Sequence, residues 1–298
     1  MLFIVRCLIF LCLISQAKIS FACSEQDCIK TDSWQLGLAI GLGIKTNPLV
    51  DGDNIPLVIL PDVAWYAEKA YFDNGELGYQ WINQDKFAVE SFVSLDQERA
   101  FFSFFHPANL LTGNSQINAV APPTLRPSED ERFDEHITSP VSPANDGISI
   151  DQISKRKWAI NAGLRWHYFL DNMELTASWQ NDISGVHQGS IVELAYSIKW
   201  AWQKTQFNTQ IGANWKSQKL LNYYYGIDQE DIDDSFHWYV ADAGIETYLA
   251  LAIQRPINDK WLWLTNVSFR QLPDSMYLSP IVKDSNIKRV FMGVAYRF

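Results

Sequence analysis

Five histidines, His106, His136, His167, His187 and His237, bound the general acid–base chemistry open to this chain. His187 stands in NDISGVHQG beside Asp182 and Ser184, the residue types of a hydrolase triad. A nucleophile needs a base within hydrogen-bond reach, a third group to orient that base, and donors for the oxyanion. Asp182, Ser184 and His187 fall on one short loop with no evident oxyanion donor. Asp and Ser capping a turn at Gly185 accounts for the same residues. Asp233 and Asp234, near His237, invite comparison with aspartyl-type proteases, but the run DQEDIDD (228–234) reads as a solvated loop. No GxxxxGK[ST], GxGxxG or HExxH occurs, so nucleotide-cradle and zincin chemistry are excluded. The sequence predicts no catalytic residue, no cofactor and no metal site.

Another set of polar residues is embedded in strand-like runs. In KWAINAGLRWHYFL, Trp158, Ile160, Ala162, Leu164, Trp166, Tyr168 and Leu170 share one face, and Arg165 and His167 lie on the other beside Phe169. In 205–216, Phe207, Ile211 and Trp215 oppose Gln206, Asn208, Gln210, Asn214 and Lys216. From Trp34 onward, Leu36, Leu38, Ile40, Leu42 and Ile44 oppose Gly37, Ala39, Gly41, Gly43 and Lys45. The same split recurs in 173–182, 190–202, 243–254, 260–270 and 286–298, with weaker versions at 57–67, 75–82 and 86–95. Arg165, His167, Glu193, Lys216, Glu246 and Arg270 fall on polar faces and are expected to point into a lumen, where they pair with one another or set the selectivity of a pore.

The strong segments run to roughly 10–14 residues, longer than usual soluble strands and suited to a tilted bilayer crossing. Trp and Tyr gather near segment ends, as interfacial girdles require. Short links such as Asp171-Asn172 and Gln203-Lys204 alternate with longer ones at 218–241 and 271–285. The expected fold is all-β, a transmembrane antiparallel barrel over residues 33–298, of about 12 strands with 10 as the alternative. Eleven segments are legible, and the even number favoured for such barrels points to Arg99–His106, RAFFSFFH, as the missing strand. Residues 106–156 are expected to form one long loop, rich in proline and carrying the acidic run SEDERFDEH.

Residues 1–22 read as a cleaved signal peptide: Arg6, the apolar stretch CLIFLCLIS, then Ser20-Phe21-Ala22. A lipoprotein signal is the rival reading, and Ser20 stands where such signals favour Leu. Residues 23–32 become a short periplasmic segment holding Cys23 and Cys28, close enough for a local disulfide in an oxidising compartment. Removing Arg6 and Lys18 leaves 22 basic residues against 34 acidic ones, a net charge near −12. That balance argues against nucleic acid or anionic lipid as a partner for the average surface.

The chain closes on VFMGVAYRF. Val290, Met292, Val294, Tyr296 and Phe298 alternate with Gly293 and Ala295, which are expected to face the lumen between Arg289 and Arg297. The row ending on Phe298 is expected to face lipid, to close the barrel against the strand beginning at Trp34, and to serve as the signal read by the outer-membrane assembly machinery.

With NDISGVHQGSIVELAY (181–196), YYYG (Tyr223 to Gly226), LSPIV (278–282), the closing GVAYRF and the early GLGIKTNPLVDGDNIPLVILPDVAWY, the chain resembles the MipA/OmpV family of Gram-negative outer-membrane proteins. The likeness covers most of 33–298 and thins over 99–156. It implies an outer-membrane location among lipid and lipopolysaccharide. It also implies a scaffold role, because the family's namesake tethers a lytic murein transglycosylase to a murein synthase. Other members are treated as porin-like or adhesive, so a narrow channel or a surface adhesin is the alternative. The family defines no motif for partner-binding residues.

Overall fold

The computed structural model describes residues 32–110 and 147–298. The signal segment 1–22, Cys23, Cys28 and the acidic run 128–136 lie outside them. Twelve antiparallel strands close into a barrel, each paired with its sequence neighbours and the first with the last. They are β1 (Ser33–Lys45), β2 (Ile55–Tyr66), β3 (Ala70–Asp73), β4 (Glu76–Gln84), β5 (Phe87–Leu95), β6 (Ile160–Leu170), β7 (Met173–Asp182), β8 (Ser190–Trp202), β9 (Thr205–Lys216), β10 (Gly244–Pro256), β11 (Trp261–Gln271) and β12 (Asn286–Arg297). No helix among the described residues is long and apolar enough to cross a membrane, so the strands are the crossing elements.

Period-two patterning assigns the two faces. Leu36, Ile40, Leu42 and Ile44 of β1 are exposed on the outside, whereas Ala39 is buried within. Trp34, Trp81, Trp200, Trp202, Trp261 and Trp263 are exposed near the short-turn ends of their strands, and Trp158, Trp179 and Trp215 near the long-loop ends, as aromatic girdles at the two membrane interfaces require. Closure runs over nine residue pairs from Gly37↔Arg297 to Lys45↔Arg289. Gly41 faces Gly293 there, and a Cβ on Gly41 would strike the Met292 carbonyl oxygen. The two glycines let the seam strands approach this closely.

The strand number agrees with expectation, but one strand is not where the sequence reading put it. Arg99–His106 is not a strand. Its first part is a 3₁₀ turn (Glu98–Phe102), followed past His106 by the short helix α1 (Pro107–Leu110). With apolar residues on both faces, RAFFSFFH gives a sheet no reason to choose a side. Its backbone is instead gathered by Asn109, whose Nδ2 donates to the carbonyls of Ala100 (2.8 Å) and Ser103 (3.0 Å). The twelfth strand is β3, four residues joined to β4 through Asn74 and Gly75, both with positive φ (48° and 98°). Asn-Gly is the favoured dipeptide for this tight, primed hairpin turn.

The short β3–β4 hairpin lowers the wall on one side. β2 pairs with β3 only from Ala64 to Tyr66, while its ladder with β1 runs on to Ile55. α1 packs against β2 and fills the dip. The opposite rim carries the turns 67–69, 85–86, 171–172, 203–204 and 257–260; in outer-membrane barrels the short turns are periplasmic.

Candidate functional site

Two ionic networks occupy the lumen, the first along the wall formed by β4 to β7. In the first, the Arg165 guanidinium forks onto Glu76, Nη1 to Oε1 and Nη2 to Oε2, both 2.8 Å, and reaches Glu90 Oε1 at 2.7 Å. The fork is possible because β5 sets Glu90 directly opposite Arg165 and the β3–β4 hairpin brings Glu76 alongside. Tyr71 donates to Glu76 (2.9 Å), and the guanidinium lies 4.1 Å from the Phe92 ring centroid. His167 sits between Glu174 (Nδ1 to Oε1, 2.7 Å) and Glu90 (Nε2 to Oε1, 3.4 Å) and stacks on Phe169.

The second network is nearer the long loops. Lys216 Nζ donates to Glu98 Oε1 and Glu246 Oε2, each at 2.7 Å, and all three residues are buried. Arg270 approaches Glu246 at 3.6 Å, Asn214 donates to it at 3.2 Å, and Tyr225 donates to the other oxygen of Glu98. Glu193 accepts from the Tyr248 hydroxyl at 2.6 Å. A cavity of about 70 Å³ separates the networks, lined among others by Arg165, Glu193, Lys216, Glu246 and Arg270. His167 does not line it. Buried ion pairs are tolerated where each charge is met by partners of good geometry, and the cross-paired charges here occupy the barrel interior.

Glu98 belongs to no strand. The segment after β5 turns into the lumen, places Glu98 between Lys216 and Tyr225, and returns over β2, where Asn109 accepts from Lys45 Nζ (2.9 Å). Above it the long connections build an apolar cap. Leu220, Leu221, Tyr224 and Tyr225 of α2 (Gln218–Tyr225) and Met276 of α3 (Asp274–Tyr277) pack with Leu49, Phe101, Ile148, Ile281 and Ile287, most of them fully buried. The helix spacing of Leu220, Leu221, Tyr224 and Tyr225 gives one apolar face, which turns down onto the Glu98 segment.

The polar residues of this cap are structural. Asp182 receives Ser184 N and Oγ on one oxygen and His187 N and Gln188 N on the other, at 2.6–2.9 Å. The Ser184 hydroxyl is thus turned to Asp182, away from His187. His187 Nδ1 accepts from Gly189 N (2.9 Å), which leaves the ring proton on Nε2, 3.4 Å from Asp96. Burial alone would raise the Asp96 carboxyl, but hydrogen bonds from His187 and Asn161 outweigh it and hold the group below its usual range. His106, buried and stacked on Trp158 at 4.6 Å, is held down to about 4 by burial and by the charges of Lys45 and Arg99. Asp234 and His237 make an exposed contact at 3.3 Å, while Asp231 anchors Arg156 by two hydrogen bonds of 2.9 Å.

The sequence reading missed Glu76, Glu90, Tyr71 and Glu98. Glu90 was within reach, since it alternates inward with Ala88 and Phe92 in FAVESFVSL. Glu98 carried no signal, because nothing local says that its segment dips inside. On β12, Val290 and Met292 are exposed on the outer face and Phe291 is fully buried within; Phe298, just past the strand, is exposed. Val294 and Tyr296 are half-exposed, and Tyr296 meets Trp261 and Phe298 edge-on at about 5 Å.

Comparison with known proteins gives a consistent picture. The family described as MltA-interacting protein MipA matches residues 36–298. Outer membrane protein Omp26La of Vibrio anguillarum is 26% identical over 150 residues, 50% of this chain and 58% of that one. OmpV of Vibrio cholerae is 25% identical over the same length, again 50% and 58%. The MltA-interacting protein of Escherichia coli K12 is 22% identical over 147 residues, 49% of this chain and 59% of that one. The matched region thus spans less than two thirds of the length of these relatives. With a family match covering nearly the whole barrel, and a barrel of outer-membrane type, the chain belongs to the MipA family of outer-membrane proteins.

Proposed function

We propose that this protein is a closed interaction barrel that holds a murein-remodelling enzyme, a lytic transglycosylase together with a murein synthase, at the periplasmic face of the outer membrane. The observation that carries this reading is the obstructed lumen. The Glu98 segment is tied to the far wall by Lys216, and the loop cap packs over it. A barrel of about twelve strands is wide enough to leave a channel only if its interior is not filled, and here it is filled by paired charges. The printed name of one relative, MltA-interacting protein, supports a murein transglycosylase as the partner class.

Mild cross-linking in cell envelopes followed by affinity capture tests the reading. Recovery of a lytic transglycosylase with the full-length protein is expected. Capture free of any murein enzyme would remove the scaffold role. Stable single-channel steps from the purified wild-type protein in planar bilayers would instead favour the narrow-channel alternative.

A further inference from the structure

The inner wall where β11, β12 and β1 meet carries three cations and shares one carboxylate among them. Lys45 and Arg289 are directly opposite in the β1–β12 ladder. Arg289 shares the inner face with Ile287 and Phe291, which are buried. Arg270, opposite Ile287 on β11, stands one inward step above Arg289. Like charges placed directly across a ladder are unfavourable, and here a third is added.

Their partners do not balance them. Lys45 Nζ donates to the neutral amide oxygen of Asn109. Among the described residues, the carboxylate nearest Arg270 is Glu246, at 3.6 Å, and Glu246 is already held by Lys216 at 2.7 Å. Glu98 is taken by Lys216 and Tyr225. The Nε and Nη2 atoms of Arg289 are buried with no hydrogen-bond partner among the described residues. Lys45, Lys216, Arg270 and Arg289 thus outnumber Glu98 and Glu246, the carboxylates in contact with them, while Glu193, which shares the cavity with Arg270, is held by Tyr248. Lys45 and Arg289 each keep part of their surface exposed, and Arg270 lines the lumen cavity.

We propose that Lys45, Arg270 and Arg289 form a binding site for a phosphate group in the upper lumen. Two guanidinium forks and an ammonium match the oxygens of phosphate geometrically. A phosphate near its dianionic form also cancels the local excess, which one carboxylate would not. Free inorganic phosphate and the phosphate of a lipid headgroup offer the same chemistry. The site is independent of the scaffold role.

The test is equilibrium dialysis of the full-length protein in zwitterionic detergent against radiolabelled inorganic phosphate, with thermal unfolding measured in parallel. Wild type is expected to bind phosphate saturably and to unfold at a higher temperature when it is present. Arg289→Gln should weaken binding by about tenfold or more. Without phosphate it should unfold at or above the wild-type temperature, because a repulsive charge has gone. An Arg289 that serves only as structural support would instead lower the midpoint in both buffers. Lys45→Gln, which can still reach Asn109, provides a second variant should Arg289→Gln assemble poorly. Arg255→Gln, at an exposed cation near the opposite rim, should bind like wild type. Competition by diphosphoryl lipid A but not by its dephosphorylated form would assign the headgroup as the source; competition by inorganic phosphate alone would assign the free anion. Absence of saturable binding by either, or equal binding by Arg289→Gln, would overturn the site.

Discussion

Glu98→Ala should unfasten the segment that closes the lumen. Glu98 is the segment's ionic anchor: one carboxylate oxygen takes Lys216 at 2.7 Å and the other takes the Tyr225 hydroxyl. A hydrogen bond to a charged group contributes about 1.5–3 kcal/mol, and breaking a buried pair costs about 3–5 kcal/mol. Lys216 keeps Glu246 at 2.7 Å, so it is not left alone, whereas Tyr225 loses its acceptor. The local cost is therefore about 3–5 kcal/mol, which raises the open population of the segment by roughly two to four powers of ten. The strands and their ladders are untouched, so the variant should still assemble. In planar bilayers the wild type should stay closed and Glu98→Ala should show brief, recurrent openings. Glu98→Gln, which keeps the shape and one hydrogen bond, should open less often. Identical closed traces for wild type and Glu98→Ala would refute the claim that this anchor holds the lumen shut. Steady conductance through wild type would refute the claim that the segment closes it at all.

Further outcomes follow from the same geometry. His106 is neutral in the folded protein, its pKa lowered from 6.5 to about 4. The unfolded segment therefore binds the extra proton first, and the stability of the 96–110 segment falls as pH drops from about 6.5 to 4, by up to about 3 kcal/mol. Hydrogen exchange of its amides between pH 7 and pH 4.5, corrected for intrinsic rates, reads this directly, and His106→Phe should flatten the profile. Arg165→Met leaves Glu76 and Glu90 facing each other without their cation and should cost about 3–5 kcal/mol in barrel unfolding; adding Glu76→Gln and Glu90→Gln should recover most of it. Deleting Phe298 removes an exposed ring and one backbone hydrogen bond to Leu36 (3.0 Å), worth about 1 kcal/mol. Assembly in cells should fall several-fold while the unfolding midpoint of the assembled fraction barely moves, and unchanged surface levels would count against an assembly signal in the last row.

The fold was legible because lipid and lumen impose opposite demands on alternate residues, and that demand acts on every strand long enough to cross the membrane. Seven strands from Ile160 onward stand where the alternation predicts them. The failure at β3 has a physical reason. Four residues, Ala70–Asp73, are too few to show a period and too short to cross a bilayer alone. The Asn74-Gly75 dipeptide is a hairpin signal all the same, but the strand it opens is too short to carry an alternation. Arg99–His106 erred in the other direction: hydrophobicity without alternation does not make a strand, and here Phe101 and Phe102 pack into the cap while Phe104 and Phe105 are exposed and meet edge-on.

The lumen was half legible for a related reason. Alternation says which face a residue takes but not its height, and partners in a barrel are set by height. Lys216 and Glu246 both read as inward, yet their pairing depends on Lys216 lying opposite Gly244, one inward step from Glu246. Arg165 meets Glu90 because their strands happen to place them level. Register of this kind follows from the tilt of the whole barrel, which no single segment encodes. The third case is the least accessible: Glu98 reaches Lys216 from a segment outside the sheet, across 118 residues of sequence. On the closed-barrel proposal, the element that shuts the lumen therefore lies in a region where the strand code is silent, and its anchor is the residue to change first.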